Sequence, residues 1–104
     1  MVKVFSSLAV ATEAIPVGSL KLLDIDGKKI GLTNTNDGFR AFDNQCPHQF
    51  EPLHKGKITA NNQVVCRLHD YRFNLITGME AENRCRPMNI YAVTVEDSGV
   101  FIDL

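Results

Sequence analysis

The sequence has 104 residues, is 44% apolar and 22% charged, and carries a formal net charge of −1 at pH 7. That size suits one domain burying about 65% of the surface its unfolded chain exposes, so a bound metal centre would support a modest core. The balanced charge argues against nucleic-acid binding, no apolar run nears the roughly 20 residues that cross a bilayer, and Met1 to Leu8 lacks a secretory apolar stretch; the expected location is the cytoplasm.

Val2 to Phe5 can open a sheet. Ser7 to Ala14 is the one helix candidate, a short turn stopped by Pro16. Ser19 to Ile25 alternates apolar and polar residues, which points Leu20, Leu22 and Leu23 inward. Asp26-Gly27 is a hairpin dipeptide, and Lys28 to Thr33 returns from it. Asp37-Gly38 repeats the signal before Phe39 to Phe42. Lys57 to Thr59 and Val64 to Cys66 flank Asn61-Asn62, and Tyr71 to Leu75 precedes Thr77-Gly78. Ile90 to Val95 alternates as one strand, and Asp97-Ser98-Gly99 turns into Val100 to Ile102. Short strands separated by turns predict an all-β antiparallel sandwich or barrel, without repeats or an internal linker.

Residues 43 to 56 break this rhythm. They hold Cys46, Pro47, His48, Pro52, His54 and Gly56, and they read as a functional loop. Cys46-Pro47-His48 is followed, after seventeen intervening residues, by Cys66-Arg67-Leu68-His69. Each loop presents one thiolate and one imidazole. Together they supply four ligands, enough for one tetrahedral ion or one two-iron cluster. Common zinc fingers pair cysteine with cysteine and histidine with histidine along the chain. Here the order is Cys-His then Cys-His. If each loop gives one cysteine and one histidine, the two cysteines can bind one iron and the two histidines the other, which is the Rieske arrangement. The odd number of cysteines, with Cys85 the third, argues against a complete disulfide framework.

From residue 40 onward the sequence resembles a Rieske ferredoxin of the kind that serves multicomponent aromatic-ring oxygenases. The resemblance is carried by Cys46-Pro47-His48, Pro52-Leu53 with Gly56, Val64-Val65-Cys66, His69, Phe73, Thr77-Gly78, Pro87 and Tyr91 to Asp97. The first forty residues match only in strand pattern. The resemblance implies one Rieske domain over 1–104, with a cluster-binding subdomain at about 43–86. It implies one [2Fe–2S] cluster per chain on Cys46, His48, Cys66 and His69, docking at the His48/His69 edge, and a flavin-containing NAD(P)H reductase and a terminal oxygenase as partners. The chain would then be a carrier and not the enzyme. Two positions depart from the family: Phe50 stands where glycine is frequent, and Asp70-Tyr71 stands where Gly-Trp is frequent.

The high-potential Rieske proteins of respiratory complexes resemble this pattern but place a disulfide between the loops, at positions that here are Glu51 and Leu68. They also place serine and tyrosine hydroxyls on the cluster, at positions that here are Tyr71 and Phe73. Hydrogen bonds to sulfur stabilise the reduced state, so their loss predicts the low end of the Rieske range, near about −150 mV. The competing readings are the small subunit of an assimilatory nitrite reductase, a redox- or iron-sensing module, and a structural Cys₂His₂ zinc module. His54 is expected to be a solvated loop histidine, Cys85 a bystander packed near the site, and Glu80 and Glu82 solvated charges. Residues 46 to 86 hold six Lys/Arg and four Asp/Glu, a mildly basic segment that could steer an acidic partner.

Overall fold

The computed structural model describes every residue of the chain except Gln49. Among the described residues, ten short strands form three antiparallel sheets. Val2–Phe5 (β1), Val93–Glu96 (β9) and Gly99–Ile102 (β10) make the first, in the order β1-β10-β9. Leu20–Ile25 (β2), Lys28–Thr35 (β3), Gly38–Asp43 (β4) and Ile90–Tyr91 (β8) make the second, in that order. Lys57–Ile58 (β5), Gln63–Val65 (β6) and Arg72–Asn74 (β7) make the third.

The expected helix is longer than one turn and covers Leu8–Ala14 (α1). The Ser7 hydroxyl caps it by accepting from the Val10 N–H at 3.1 Å. Ala11 and Ile15 face the core, and Pro16 prevents continuation. The β2–β3 hairpin turns at Asp26 and Gly27, both at positive φ (53° and 85°), as the dipeptide predicts. The next hairpin turns one residue earlier than expected. Thr35 pairs with Gly38, which leaves Asn36 and Asp37 at the tip and gives Gly38 the positive φ of 108°.

The second sheet divides two hydrophobic clusters, and this placement positions the site. One cluster contains Ile30, Leu32, Phe39 and Ala41 from the sheet, with Ala11, Ile15, Val100 and Ile102. Leu23 and Ile25 pack against it. The other contains Phe42, Cys46, Leu53, Val64, Cys66, Phe73, Leu75 and Met88, with Leu20 packed alongside. Cross-strand register explains the split. Leu22, Gly31 and Phe42 are successive partners on one face, and Leu23 is opposite Ile30 on the other. Gly31 leaves room for the Phe42 ring, since a Cβ there would lie 2.4 Å from it. A sheet buried on both faces blurs period-two patterning. Leu22, expected inward, is instead 36% exposed.

The stretch from Ile90 to Val95 is not one strand. Ile90–Tyr91 pairs with β4, and the chain then crosses at Ala92 so that Val93–Glu96 pairs with β10. Alternation continues through the crossing, so the sequence pattern conceals it.

The third sheet is held close by Gly56, which follows a 3-10 turn at Leu53–Lys55. A Cβ at Gly56 would lie 1.8 Å from the Val65 carbonyl oxygen, one residue before Cys66. Backbone cannot yield as a flexible side chain does. Gly56→Ala is expected to lower stability by about 1–3 kcal/mol, the usual cost of overpacking, as measured by denaturant unfolding. An unchanged midpoint would show that this approach is not tight.

Candidate metal centre

Each ligand loop is six residues long and is closed by a backbone hydrogen bond from its cysteine. The Cys46 N–H donates to the Glu51 carbonyl at 2.9 Å, and the Cys66 N–H donates to the Tyr71 carbonyl at 2.8 Å. In the first loop the Phe50 N–H also returns to the Cys46 carbonyl at 2.7 Å. The first loop leaves β4 through Asn44. Its buried side chain accepts from the His54 N–H at 2.7 Å and pairs with His54 Nδ1 at 2.8 Å. The second loop is the connection between β6 and β7, anchored by the Val65–Arg72 pair.

Both departures from the family pattern fall at left-handed backbone. Phe50 has φ 58°, and His69 and Asp70 have φ 63° and 56°. Glycine adopts this region freely, while a side chain there costs roughly 1–2 kcal/mol. The frequent glycines at positions 50 and 70 therefore have a backbone reason. This chain keeps the conformation and adds side chains, and the Phe50 ring is 63% exposed.

Cys46 and Cys66 are both fully buried and free, and they lie close enough for each thiol to feel the other. Burial, with Cys46 adding to it, pushes the Cys66 thiol up to about 11. A thiolate here calls for a cation beside it. The two imidazoles lie at the outer edge, with ring centroids 5.7 Å apart and planes tilted by 58°. His69 is exposed and His48 half-buried. The four sequence-predicted residues thus come as an inner pair of thiols and an outer pair of imidazoles. Among the described residues, no three His, Cys, Asp or Glu side chains converge as ligands for a single ion.

His48 also stacks on Tyr71, with centroids 4.0 Å apart and planes within 8°. The Arg84 guanidinium lies 3.8 Å from the Tyr71 ring centroid. Glu80 holds Arg84 through Nε at 3.0 Å, Nη2 at 2.8 Å and the backbone N–H at 2.9 Å. The Glu80 side chain is completely buried, which corrects the expectation of a solvated charge. The forked guanidinium offsets the cost of burying it and holds its carboxyl down at about 2. Glu82 is solvated as expected, and its carboxylate reaches Arg84 at 3.2 Å. The Glu80-x-Glu82-x-Arg84 spacing was the available signal for this pair; nothing in the sequence marks Asn44. His54 is half-buried and tied to Asn44 rather than solvated. Cys85 packs against the cysteine-containing cluster. Arg67 reaches Glu51 at 3.4 Å, an exposed contact between the two loops.

The Rieske [2Fe–2S] domain model matches residues 6–92. The chain belongs to the Rieske [2Fe–2S] domain family, and the match begins well before residue 40, where the motif resemblance starts. It is 34% identical over 79 residues to the methanesulfonate monooxygenase ferredoxin subunit of Methylosulfonomonas methylovora, covering 76% of this chain and 64% of that one. It is 33% identical over 100 residues to the ferredoxin component of the naphthalene 1,2-dioxygenase system of Pseudomonas aeruginosa, covering 92% of each. The ferredoxin in a solved complex of reduced oxygenase and oxidised ferredoxin from carbazole 1,9a-dioxygenase shares the fold. Its TM-score is 0.82 at 22% identity, covering 98% of this chain and all of that one. Membership implies a Rieske-type [2Fe–2S] cluster, and relatives that are ferredoxin components, not oxygenases, make the chain an electron carrier rather than a catalyst. No helix among the described residues is long and apolar enough to cross a membrane.

The buried ion pair makes stability depend on acid. Because the Glu80 carboxyl is depressed to about 2, its contribution is complete above the ordinary carboxylate value of 4.5 and is lost as pH falls through about 2. Unfolding measured from pH 6 to pH 2 should show the wild type losing stability more steeply than Glu80→Gln below about pH 4.5. Parallel profiles would remove Glu80 from the acid response.

Proposed function

We propose that Cys46, His48, Cys66 and His69 hold the [2Fe–2S] cluster, with the two thiolates on the inner iron and the two imidazoles on the outer one. The paired arrangement carries this reading. A two-iron cluster takes two protein ligands at each iron, whereas a structural zinc ion takes all four on one centre. The buried thiols also fit ligands whose protons leave when metal enters. When bound, the cluster supplies a one-electron couple. The whole chain serves as one Rieske domain, with residues 43–86 as its cluster-binding subdomain.

The chain accepts an electron from an NAD(P)H-dependent, flavin-containing reductase and delivers it to a terminal oxygenase in the cytoplasm. The names of the two ferredoxin relatives support the oxygenase as partner. Docking occurs at the His48/His69 edge, because His69 is exposed there while both cysteines are buried. Exposed Phe50 and Leu68 lie on the same two loops and offer apolar contact area. Reconstitution with a reductase and an oxygenase of this type should give NAD(P)H-dependent product formation that requires the chain. Tight binding to a partner in one redox state, without turnover, would favour a sensor.

Phe73 is fully buried beside the cysteines and has no hydroxyl to offer sulfur. The cluster therefore sits at the low end of the Rieske range, near about −150 mV, as protein-film voltammetry should show. A midpoint above about +100 mV would contradict this. The ligand set is tested by His69→Ala, which should abolish the Rieske electron paramagnetic resonance signal. A variant that kept the signal would exclude His69.

A further inference from the structure

The His48–Tyr71–Arg84–Glu80 column joins three segments that meet nowhere in the sequence. His48 comes from the first ligand loop, Tyr71 closes the second, and Glu80 and Arg84 lie beyond β7. Ordinary surface arginines are mobile, and exposed ion pairs of this type contribute little. Arg84 differs because its partner carboxylate is completely buried and binds it in a fork, while the guanidinium face lies against an aromatic ring. Such an arrangement defines the position of Arg84, and through it the plane of Tyr71.

We propose that Tyr71, Arg84 and Glu80 are positioning residues for His48, which fix the plane of its imidazole and set the reduction potential of the site by keeping the Arg84 charge paired. This rests on the reading of His48 as a ligand. Two physical effects are combined. The first is mechanical: a stacked ring 4.0 Å away opposes rotation of the His48 plane, and the imidazole plane governs how the ligand meets its iron. The second is electrostatic. The reduced site carries one more negative charge, so a nearby cation favours reduction and a nearby anion opposes it. The guanidinium lies within about two ring-stacking distances of His48, and Glu80 cancels much of its field.

The two charges can be unmasked separately. In Glu80→Gln the Arg84 charge loses its buried counterion, and the equilibrium for reduction should rise several-fold, up to about tenfold, or 59 mV for a one-electron couple. In Arg84→Gln at neutral pH the carboxylates of Glu80 and Glu82 are left without their guanidinium, and the midpoint should move down. The double variant should return toward the wild-type midpoint. Its electron paramagnetic resonance lines should broaden, since no guanidinium then holds the Tyr71 ring against His48. Tyr71→Phe keeps the ring and should keep the wild-type lines, whereas Tyr71→Leu should broaden them.

Should Arg84→Gln fail to retain iron, Arg84→Lys keeps the charge without the flat face. It should hold the midpoint near wild type while the lines broaden. Equal midpoints for wild type, Glu80→Gln and the Arg84 variant that holds iron, with unchanged lines, would reduce the column to a structural prop and overturn the proposal. Retention of the Rieske signal in His48→Ala would overturn the ligand reading instead, whatever the Arg84 variants show.

Discussion

Two backbone hydrogen bonds govern the site. By donating to Glu51 and Tyr71, the Cys46 and Cys66 amides close each ligand loop on itself. In each loop the cysteine lies inward, buried, and the histidine lies toward the surface. The closure requires left-handed backbone at Phe50, His69 and Asp70. The strain is met by the buried cluster beneath, where Phe42, Leu53, Val64 and Phe73 surround the thiols. The central sheet contributes Phe42 to this cluster and Ile30, Leu32, Phe39 and Ala41 to the other. Stability of the fold and geometry of the metal centre are therefore coupled through one sheet.

The elements most visible in the sequence are those fixed by local chemistry. Asp26-Gly27 specifies its turn because both residues enter left-handed backbone. Ser7 and Pro16 bracket α1 because one caps and the other stops a helix. The four ligand candidates stand out because thiol and imidazole recur in the same order on two loops. The hidden features depend on distant partners. Leu22 shares a period with buried residues, but its face of the sheet is only partly covered. The crossing at Ala92 leaves side-chain alternation intact while the hydrogen-bond partner changes from β4 to β10. Glu80 looks solvated until Arg84 folds over it. The meaning of Phe50 and Asp70 was partly legible: their positions mark where glycine is frequent, and the backbone angle supplies the reason.

The loop arrangement also separates this centre from its high-potential counterparts. Where those have a disulfide between the loops, this chain has Glu51 and Leu68, and Arg67 reaches Glu51 across the gap. An exposed ion pair of this kind holds a loop weakly, by about 0–1 kcal/mol. The loops here depend on backbone closure and on the core below. In the proposed reading, buried Phe73 offers no hydroxyl to a cluster sulfur, which would favour a centre that gives up its electron readily.

The most direct measurement is iron, zinc and acid-labile sulfide content, taken together with the electron paramagnetic resonance spectrum of the dithionite-reduced protein. Two irons and two sulfides per chain with a rhombic Rieske spectrum are the predicted result. One zinc per chain, with no labile sulfide and no paramagnetic signal, would contradict the account at its centre.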